Sequence, residues 1–352
     1  MKKLRFGFLS TANISRKNWR SVLASGNAVV TAVASRDIGR ARQYIKELQA
    51  EAPFETPPVA LGSYDELLAS KDVDAVYIPL PTGLRKEWVL RAAAAGKHVL
   101  SEKPCGLNAA DVQEMIAACK KHRVQFMDGV MFMHNPRLAR VRAVLDDGKS
   151  LGQLKRLMSS FSFHLAESAY ATNIRLNRAF EPAGCLGDLG WYSIRFFLWA
   201  MDWKLPREVT GKILSQTRDG VPTDFSAELV FDDHTSANFY CSFIAQSQNW
   251  VHVSGAKGSL VIPDFVHPLS DHEPGFELNQ KEIRVKCCQC SGKHTRSLAP
   301  AQFAKMIRNF STQIRSGKLN TEWPASALKT QKVLDACHES ARRGVPIQIT
   351  RA

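Results

Sequence analysis

Apolar residues in the first third of the chain fall in short runs that alternate with stretches of helical period. Leu4 to Leu9 is an apolar strand, and Ile14 to Leu23 follows with Trp19, Val22 and Leu23 on one face of a helix. Ala28 to Ala34 carries β-branched Val29, Val30 and Val33, the composition of a buried strand. Ile38 to Leu48 is helical, and Tyr64 to Leu68 starts a short helix after Ser63. Ala75 to Ile78 is a strand stopped by Pro79-Leu80-Pro81. Arg85 to Ala95 is an alanine-rich helix ended by Gly96, and a short strand follows at Val99-Leu100. Asn108 then caps a helix with Val112, Met115, Ile116 and Cys119 at helical spacing. Val124 to Met127 is a further strand. Strands and helices alternating at such short intervals predict a parallel, doubly wound α/β sheet over residues 1–128.

After about residue 130 the texture changes. Leu154 to Phe163, Glu228 to Phe231, Thr235 to Phe243, Trp250 to Val253 and Ser259 to Ile262 are strand-like, joined by turn signals such as Asp232-Asp233 and Gly255-Ala256-Lys257-Gly258. One strong helix, about Gly187 to Ala200, interrupts them. Residues 129–352 therefore predict an α+β domain with a mostly antiparallel sheet. Helices at Ala301 to Ser316 and Ala325 to Arg343 close the chain and are free to pack back on the first domain.

The length of 352 residues suits two domains. No apolar run is long enough to cross a membrane, and no signal peptide is read at the basic N-terminus. Net charge is +14, from 47 Lys and Arg against 33 Asp and Glu. Such a field suits an anionic partner: a phosphorylated cofactor, an acidic substrate or a nucleic acid. The basic residues are dispersed, however, and clusters such as Lys120-Lys121-His122-Arg123 sit at predicted helix ends. With no DNA-binding motif present, neither nucleic acid nor membrane is expected as a partner. Five of the eight cysteines stand singly and read as free thiols, and a cytoplasmic location is expected. Cys287, Cys288 and Cys290 with His294 could bind a metal, but they lack a clean C-x2-C pair. Incidental thiols are expected there, and no metal.

The turn Gly7-Phe8-Leu9-Ser10-Thr11-Ala12-Asn13-Ile14-Ser15 sits between the first strand and the first helix, where a dinucleotide fingerprint belongs. The usual G-x-G-x-x-G is reduced to Ser10-x-Ala12-x-x-Ser15. Small residues still let backbone approach a pyrophosphate and aim free N–H groups at it, and Ser10 and Thr11 add hydroxyls. A plain strand–helix turn explains the same residues equally well. At the end of the second strand, where the ribose is read, stand Ser35-Arg36-Asp37. A hydroxyl and a guanidinium suit a 2′-phosphate, so NADP(H) is expected over NAD(H). Asp37 keeps NAD(H) possible, unless it is a helix cap and Arg36 a solvated turn residue.

Lys103 stands in Ser101-Glu102-Lys103-Pro104 at the carboxyl end of a predicted parallel strand, where open α/β sheets bind ligands. An ammonium there could stabilise a developing alkoxide; a helix-entry lysine is the plainer reading. Downstream, Gly184-Cys185-Leu186-Gly187-Asp188-Leu189-Gly190-Trp191-Tyr192-Ser193-Ile194-Arg195 places Asp188, Tyr192 and Arg195 along one helical face. A carboxylate, a phenol and a guanidinium pointing together could supply a proton donor and an orienting charge. An amphipathic core helix capped by Asp188 has the same pattern.

Together these residues resemble the Gfo/Idh/MocA oxidoreductases. The resemblance rests on Gly7 to Ser15, Pro79-Leu80-Pro81-Thr82, Ala95-Gly96-Lys97-His98-Val99 leading into Glu102-Lys103-Pro104, and Gly184 to Tyr192, in order across nearly the whole chain. It implies an N-terminal Rossmann domain and a C-terminal domain with a large open sheet that often forms the oligomer interface, hence a homodimer or homotetramer. It implies hydride transfer between NAD(P) and a sugar, polyol or related hydroxyl or carbonyl compound. Lys103 matches the family's catalytic lysine and Asp188 its active-site aspartate. Tyr192 stands where many members carry histidine, as in the glucose-fructose oxidoreductase and dimeric dihydrodiol dehydrogenase branches. A free phenol titrates near 10, so a cation such as Lys103 would help it act near neutrality.

The cofactor set implied is Gly7, Ser10, Thr11, Ala12, Asn13, Ile14, Ser35, Arg36, Pro79, Leu80, Pro81, Glu102 and Lys103. His134, Arg175 and Arg195 are substrate candidates. The chain departs from the family in its glycine-poor turn, in Arg85 where histidine is frequent, and in His134 where arginine is common. The Lys103–Pro104 bond is expected cis. Lys103, Asp188 and Tyr192 are expected to meet at one nicotinamide ring. The alternative is a regulatory, non-catalytic NADP-binding protein of the same fold.

Overall fold

A computed structural model describes residues 3–166, 168, 170, 172–270, 274–285 and 301–349. In chain order the elements are β1 Leu4–Leu9, α1 Asn13–Ser25, β2 Ala28–Ala34, α2 Ile38–Glu51, β3 Val59–Leu61, α3 Tyr64–Ala69, β4 Ala75–Ile78, α4 Thr82–Ala94, β5 His98–Ser101, α5 Ala109–Lys121 and β6 Phe126–Asp128. There follow α6 Arg137–Asp146, β7 Leu154–Ser162, α7 Trp191–Ala200, β8 Glu208–Gln216, β9 Pro222–Val230, β10 Ser236–Ser242, β11 Gln248–Gly255 and β12 Ser259–Ile262. The last are β13 Gly275–Leu278, β14 Lys281–Arg284, α8 Ala301–Arg315, α9 Glu322–Arg343 and β15 Ile347–Gln348.

The described chain divides into two units. The first holds residues 3–105, 110–135 and 301–325, and the second holds 106–109, 136–285 and 326–349. In the first, six parallel strands lie in the order β3-β2-β1-β4-β5-β6. Their side chains are buried on both faces, so β4 reads as the unbroken apolar run Ala75–Ile78. The chain winds outward from β1 in one direction through β2 and β3, then crosses back to β4 and continues through β5 to β6. The carboxyl ends of β1 and β4 are therefore the switch point of the sheet.

The motif Gly96-Lys97-His98 belongs to the opposite edge. Gly96 takes φ +70° beyond α4. The half-sequestered Lys97 ammonium donates to the carbonyls of Ser70 and Val73 at 2.6 and 2.8 Å. His98 Nδ1 accepts the Gln125 N–H at 2.9 Å. These residues fasten the amino end of β5 to its neighbours.

In the second unit nine strands run β14-β13-β12-β11-β7-β10-β9-β8-β15. The sheet is antiparallel except where β7 and β10 pair in parallel. Alternation is clear: Phe225, Ala227 and Leu229 of β9 and Ala237, Phe239 and Cys241 of β10 turn inward. The helix expected from Gly187 opens instead as a π-helical turn, Leu186–Gly190, before α7 begins. Close packing on the sheet shapes this turn. A Cβ on Gly190 would stand 2.9 Å from Leu186 Cδ1 and 3.2 Å from Phe239 Cε2, and one on Gly184, at φ +48°, would stand 2.1 Å from the Pro222 carbonyl. Arg137 and Asp264 form a buried ion pair, and the guanidinium also reaches the carbonyls of Asp264, Phe265 and Gly275.

Burial holds the His98 and His338 imidazoles below the usual histidine range. With folded pKa values depressed, their contribution to stability is full above the unfolded value of about 6.5 and is lost as pH falls toward the folded value. Melting curves between about pH 8 and 5 should show a falling Tm, with a flatter profile in a His98→Asn/His338→Asn double variant. Equal slopes in the two proteins would exclude these rings as the cause.

Candidate active site

The loops that leave the carboxyl edge of the parallel sheet treat their backbone groups differently. After β2, Asp37 caps α2: its carboxylate accepts the Gly39 and Arg40 N–H groups at 2.8 and 3.4 Å. After β3, Ser63 caps α3 through the Glu66 N–H. The two helices at the switch point, α1 and α4, have no side-chain cap; Ala12 and Pro81 stand at their N-cap positions. Bare N–H groups at a helix start favour an anion. This is the fit expected of a dinucleotide pyrophosphate against Ser10, Thr11, Ala12, Asn13 and Ile14. Ser10 shapes the turn: at φ +113° it takes a conformation where glycine is usual, and its Oγ accepts the Ala12 N–H at 3.0 Å. Gly7 serves packing beneath it, since a Cβ there would lie 2.6 Å from Leu67 Cδ2.

The Ser35-Arg36 corner gains a residue that sequence reading passed over. The Tyr64 phenol lies near the Ser10 side chain and within the field of Arg36, while burial pushes its pKa up. Its ring packs edge-on against Trp88 at 4.9 Å. The only signal was its place directly after the capping Ser63. With Asp37 committed to α2, the polar groups here are two serine hydroxyls, a phenol and an exposed guanidinium. They fit a phosphomonoester better than a bare ribose diol.

Glu102 continues from β5, its N–H bonded to the Ile78 carbonyl at 3.1 Å. Its carboxylate accepts the Tyr77 hydroxyl at 2.6 Å and the Lys103 N–H at 3.3 Å. The Tyr77 hydroxyl accepts in turn from Asn18 at 2.8 Å. Burial raises the Tyr77 phenol far above its usual range, and the Glu102 charge adds to this, so the phenol stays a donor. The Lys103–Pro104 bond is cis. Pro79, Leu80 and Pro81 form the neighbouring loop after β4.

In the second unit the structure brings Asp188, Tyr192 and Arg175 together. Arg175 Nε donates to Asp188 Oδ2 at 2.7 Å. Asp188 foremost, with a further contribution from Tyr192, raises the pKa of this guanidinium. Asp188 lies inside the π-helical turn and Gly190 holds the α7 N-cap position, so the carboxylate is not the helix cap. Tyr192 is 7% exposed and meets Phe161 edge-on at 5.5 Å. Asn173 and Ile174, beside Arg175, line a cavity of about 840 Å³ with Tyr170, Arg178 and Arg218.

Two substrate candidates have partners within their own units. Arg195 is 2% exposed, donates to Thr330 Oγ1 at 2.7 Å and covers the Trp191 ring, which places it in the packing of α7 on α9. Its three-residue spacing from Tyr192 gives no sign of Thr330 and Trp191, the partners it meets in the folded chain. His134 Nδ1 lies 3.0 Å from Asn309 Nδ2, and the ring meets Trp323 edge-on, an arrangement that anchors α8. Cys287, Cys288, Cys290 and His294 lie outside the described residues. Among the described residues no group of three or more His, Cys, Asp or Glu side chains could hold a metal ion, and no helix is long and apolar enough to cross a membrane.

A parallel sheet with bare helix starts at its switch point, followed in one chain by an α+β unit that gathers a phenol, a carboxylate and a guanidinium, defines a two-domain dinucleotide-binding oxidoreductase. The chain belongs to the Gfo/Idh/MocA family. Residues 4–130 match the oxidoreductase family's NAD-binding Rossmann fold, and residues 138–261 match the Gfo/Idh/MocA C-terminal domain. It is 30% identical to a dTDP-3,4-didehydro-2,6-dideoxy-alpha-D-glucose 3-reductase of Actinomadura kijaniata, over 96% of each chain. It is 32% identical to the trans-1,2-dihydrobenzene-1,2-diol dehydrogenase of Bos taurus, over 74% of each. The crystal structure of the 3-ketoreductase KijD10 from Actinomadura kijaniata, in complex with NADP and TDP-benzene, superposes with a TM-score of 0.82 at 27% identity, covering 96% of this chain and 98% of that one.

If Asp37 serves α2 rather than a ribose, Asp37→Ala should cost about 1 kcal/mol of stability through loss of the cap. Its preference between the two dinucleotides should not change. A selective loss of NAD(H) affinity in titrations of this variant would instead make Asp37 a ribose reader.

Proposed function

We propose that this oxidoreductase uses NADP(H) and acts on a CH–OH or C=O carbon of a sugar-like molecule. The pairing of Arg175 with Asp188 beside the buried phenol of Tyr192 carries the chemical part of this reading. The commitment of Asp37 to α2 supports the cofactor part, because it leaves Ser35, Arg36 and Tyr64 to receive a 2′-phosphate. The relatives named above, a deoxysugar reductase and a diol dehydrogenase, support the substrate class.

When bound, the dinucleotide supplies or accepts the hydride. Tyr192 exchanges a proton with the substrate oxygen, giving it in reduction and taking it in oxidation. An unperturbed phenol holds its proton until about pH 10, so nearby cations are needed to make the exchange efficient near neutrality. Arg175 is one such cation, and Lys103 is assigned to steady charge developing on the substrate oxygen. Asp188 orients Arg175. Ser10, Thr11, Ala12, Asn13 and Ile14, with Pro79, Leu80 and Pro81, receive the pyrophosphate side of the cofactor, and Glu102 holds the backbone of Lys103.

Self-association through the outer face of the large sheet completes the proposal. Ser160 Oγ, Asp224 Oδ1, Asn238 Oδ1 and His252 Nε2 on that face are buried without a hydrogen-bond partner. Such atoms gain from a polar surface laid over them. A homodimer or homotetramer is therefore expected in sedimentation, and Trp250→Glu, at the middle of the face, should shift it toward monomer. The buried free thiols Cys105, Cys119, Cys185, Cys241 and Cys337 support a cytoplasmic location.

Turnover is read as absorbance of reduced nicotinamide across sugars, ketosugars, polyols and dihydrodiols. Lys103→Ala and Tyr192→Phe should each lower kcat by about 10²- to 10⁴-fold while cofactor titrations stay normal. Normal turnover in both variants would remove the assigned roles, and no turnover on any compound would favour a regulatory protein. Arg36→Ala should weaken NADPH binding roughly 10- to 100-fold and leave NADH binding nearly unchanged.

A further inference from the structure

Two carboxyl-edge loops, those after β4 and β5, are tied together by one buried cation. Arg85, in the first turn of α4, is 6% exposed. Its Nε donates to the Leu80 carbonyl at 2.7 Å. Its Nη1 donates to Thr82 Oγ1 at 2.8 Å and also to the Pro104 carbonyl. The first two acceptors belong to the β4 loop and the start of α4, and the third belongs to the loop after β5. No carboxylate among the described residues forms an ion pair with Arg85. A buried charge held only by neutral oxygens carries a desolvation cost that packing alone does not require. What the planar, multi-donor fork provides is geometry: it fixes two loops relative to each other in a way a smaller side chain could not.

The dipeptide that benefits is Lys103-Pro104. Arg85 holds it from the carboxyl side, at the Pro104 carbonyl. Glu102 holds it from the amino side, at the Lys103 N–H, and is itself fixed by Tyr77 and Asn18. The backbone from which the lysine side chain springs is thus gripped on both sides by buried charged groups.

We infer that Arg85 is a positioning residue: through the Pro104 carbonyl it sets where the Lys103 ammonium stands relative to the β4 loop. The inference rests on Lys103 being the cation of the reaction proposed above. Displacement of a reacting group by about 1 Å can cost on the order of 10²-fold in rate, and a loosened Pro104 carbonyl permits movement of that size.

The test compares Arg85→Ala, Arg85→Lys and Lys103→Ala in the full-length protein with its best substrate. Arg85→Ala should lower kcat by roughly 10²-fold, with KM and NADPH affinity nearly unchanged. Millimolar methylguanidinium should restore part of the loss by refilling the site, and Arg85→Lys should fall between the two because an ammonium can reach some of the same oxygens. Lys103→Ala should gain nothing from methylguanidinium. A second readout needs no turnover: in reductively ¹³C-methylated protein, the Lys103 resonance should shift in Arg85→Ala and return with methylguanidinium, while the other lysines stay in place. Unchanged kcat in Arg85→Ala with Lys103→Ala crippled would overturn the inference and leave the proposed function intact. A lower Tm with unchanged kcat per folded molecule would also overturn it, since the role would then be structural. If Arg85→Ala fails to fold, Arg85→Lys with wild-type kcat and an unshifted Lys103 resonance has the same force. Normal turnover in Lys103→Ala would instead strike the functional reading itself.

Discussion

A parallel sheet buried on both faces sends every chain reversal to one of two edges, and backbone groups that leave the ladder there must find other partners. The carboxyl edge of the six-stranded sheet meets this constraint with side chains. Asp37 and Ser63 cap the helices after the outer strands β2 and β3. Arg85 takes the carbonyls of the loops after β4 and β5, and Glu102 takes the N–H of Lys103. The helices after β1 and β4 receive no side-chain cap. Capping is thus withheld at the two adjacent strands where the winding reverses. The chemistry of that point follows from which groups the chain has satisfied and which it has left for an anion.

Most of the first unit was legible because its strands are fully buried. Period and composition agree in Ala28–Ala34 and Ala75–Ile78, so both strands fall at the expected limits. β3 was missed because Val59–Leu61 is short and one-sided, with Val59 exposed. β8 was missed for a related reason: Thr210, Lys212 and Leu214 face outward, so Glu208–Gln216 shows no apolar run. The π-helical turn at Leu186–Gly190 could not be read at all. It packs closely on Phe239, a residue distant in sequence, which no local spacing encodes.

The candidate site was legible in its residue types and less so in their duties. Asp188 and Tyr192 stood out by spacing, and the structure adds Arg175 as the partner of Asp188. Arg195 and His134 had the right chemistry at plausible positions, yet each bonds to a helix of its own unit. Tyr64 and Arg85 were overlooked as site residues for opposite reasons. The first looked like an ordinary helix start. The second was noted only as a substitution for histidine, because burial and three oxygen partners are tertiary facts.

The four residues of β5 separate two kinds of constraint that a continuous motif would merge. At the amino end, Lys97 and His98 bond backbone carbonyl and amide groups of neighbouring segments, and burial lowers the pKa of both side chains. Those bonds hold the strand in the sheet. At the carboxyl end, Glu102 and Pro104 are bonded so as to fix the backbone of Lys103. A strand of this length is rigid, so fastening its amino end limits how far its carboxyl end can drift. The lysine and histidine that open the motif thus hold the strand in the sheet, and the bonds at its other end fix the backbone from which the Lys103 amine extends.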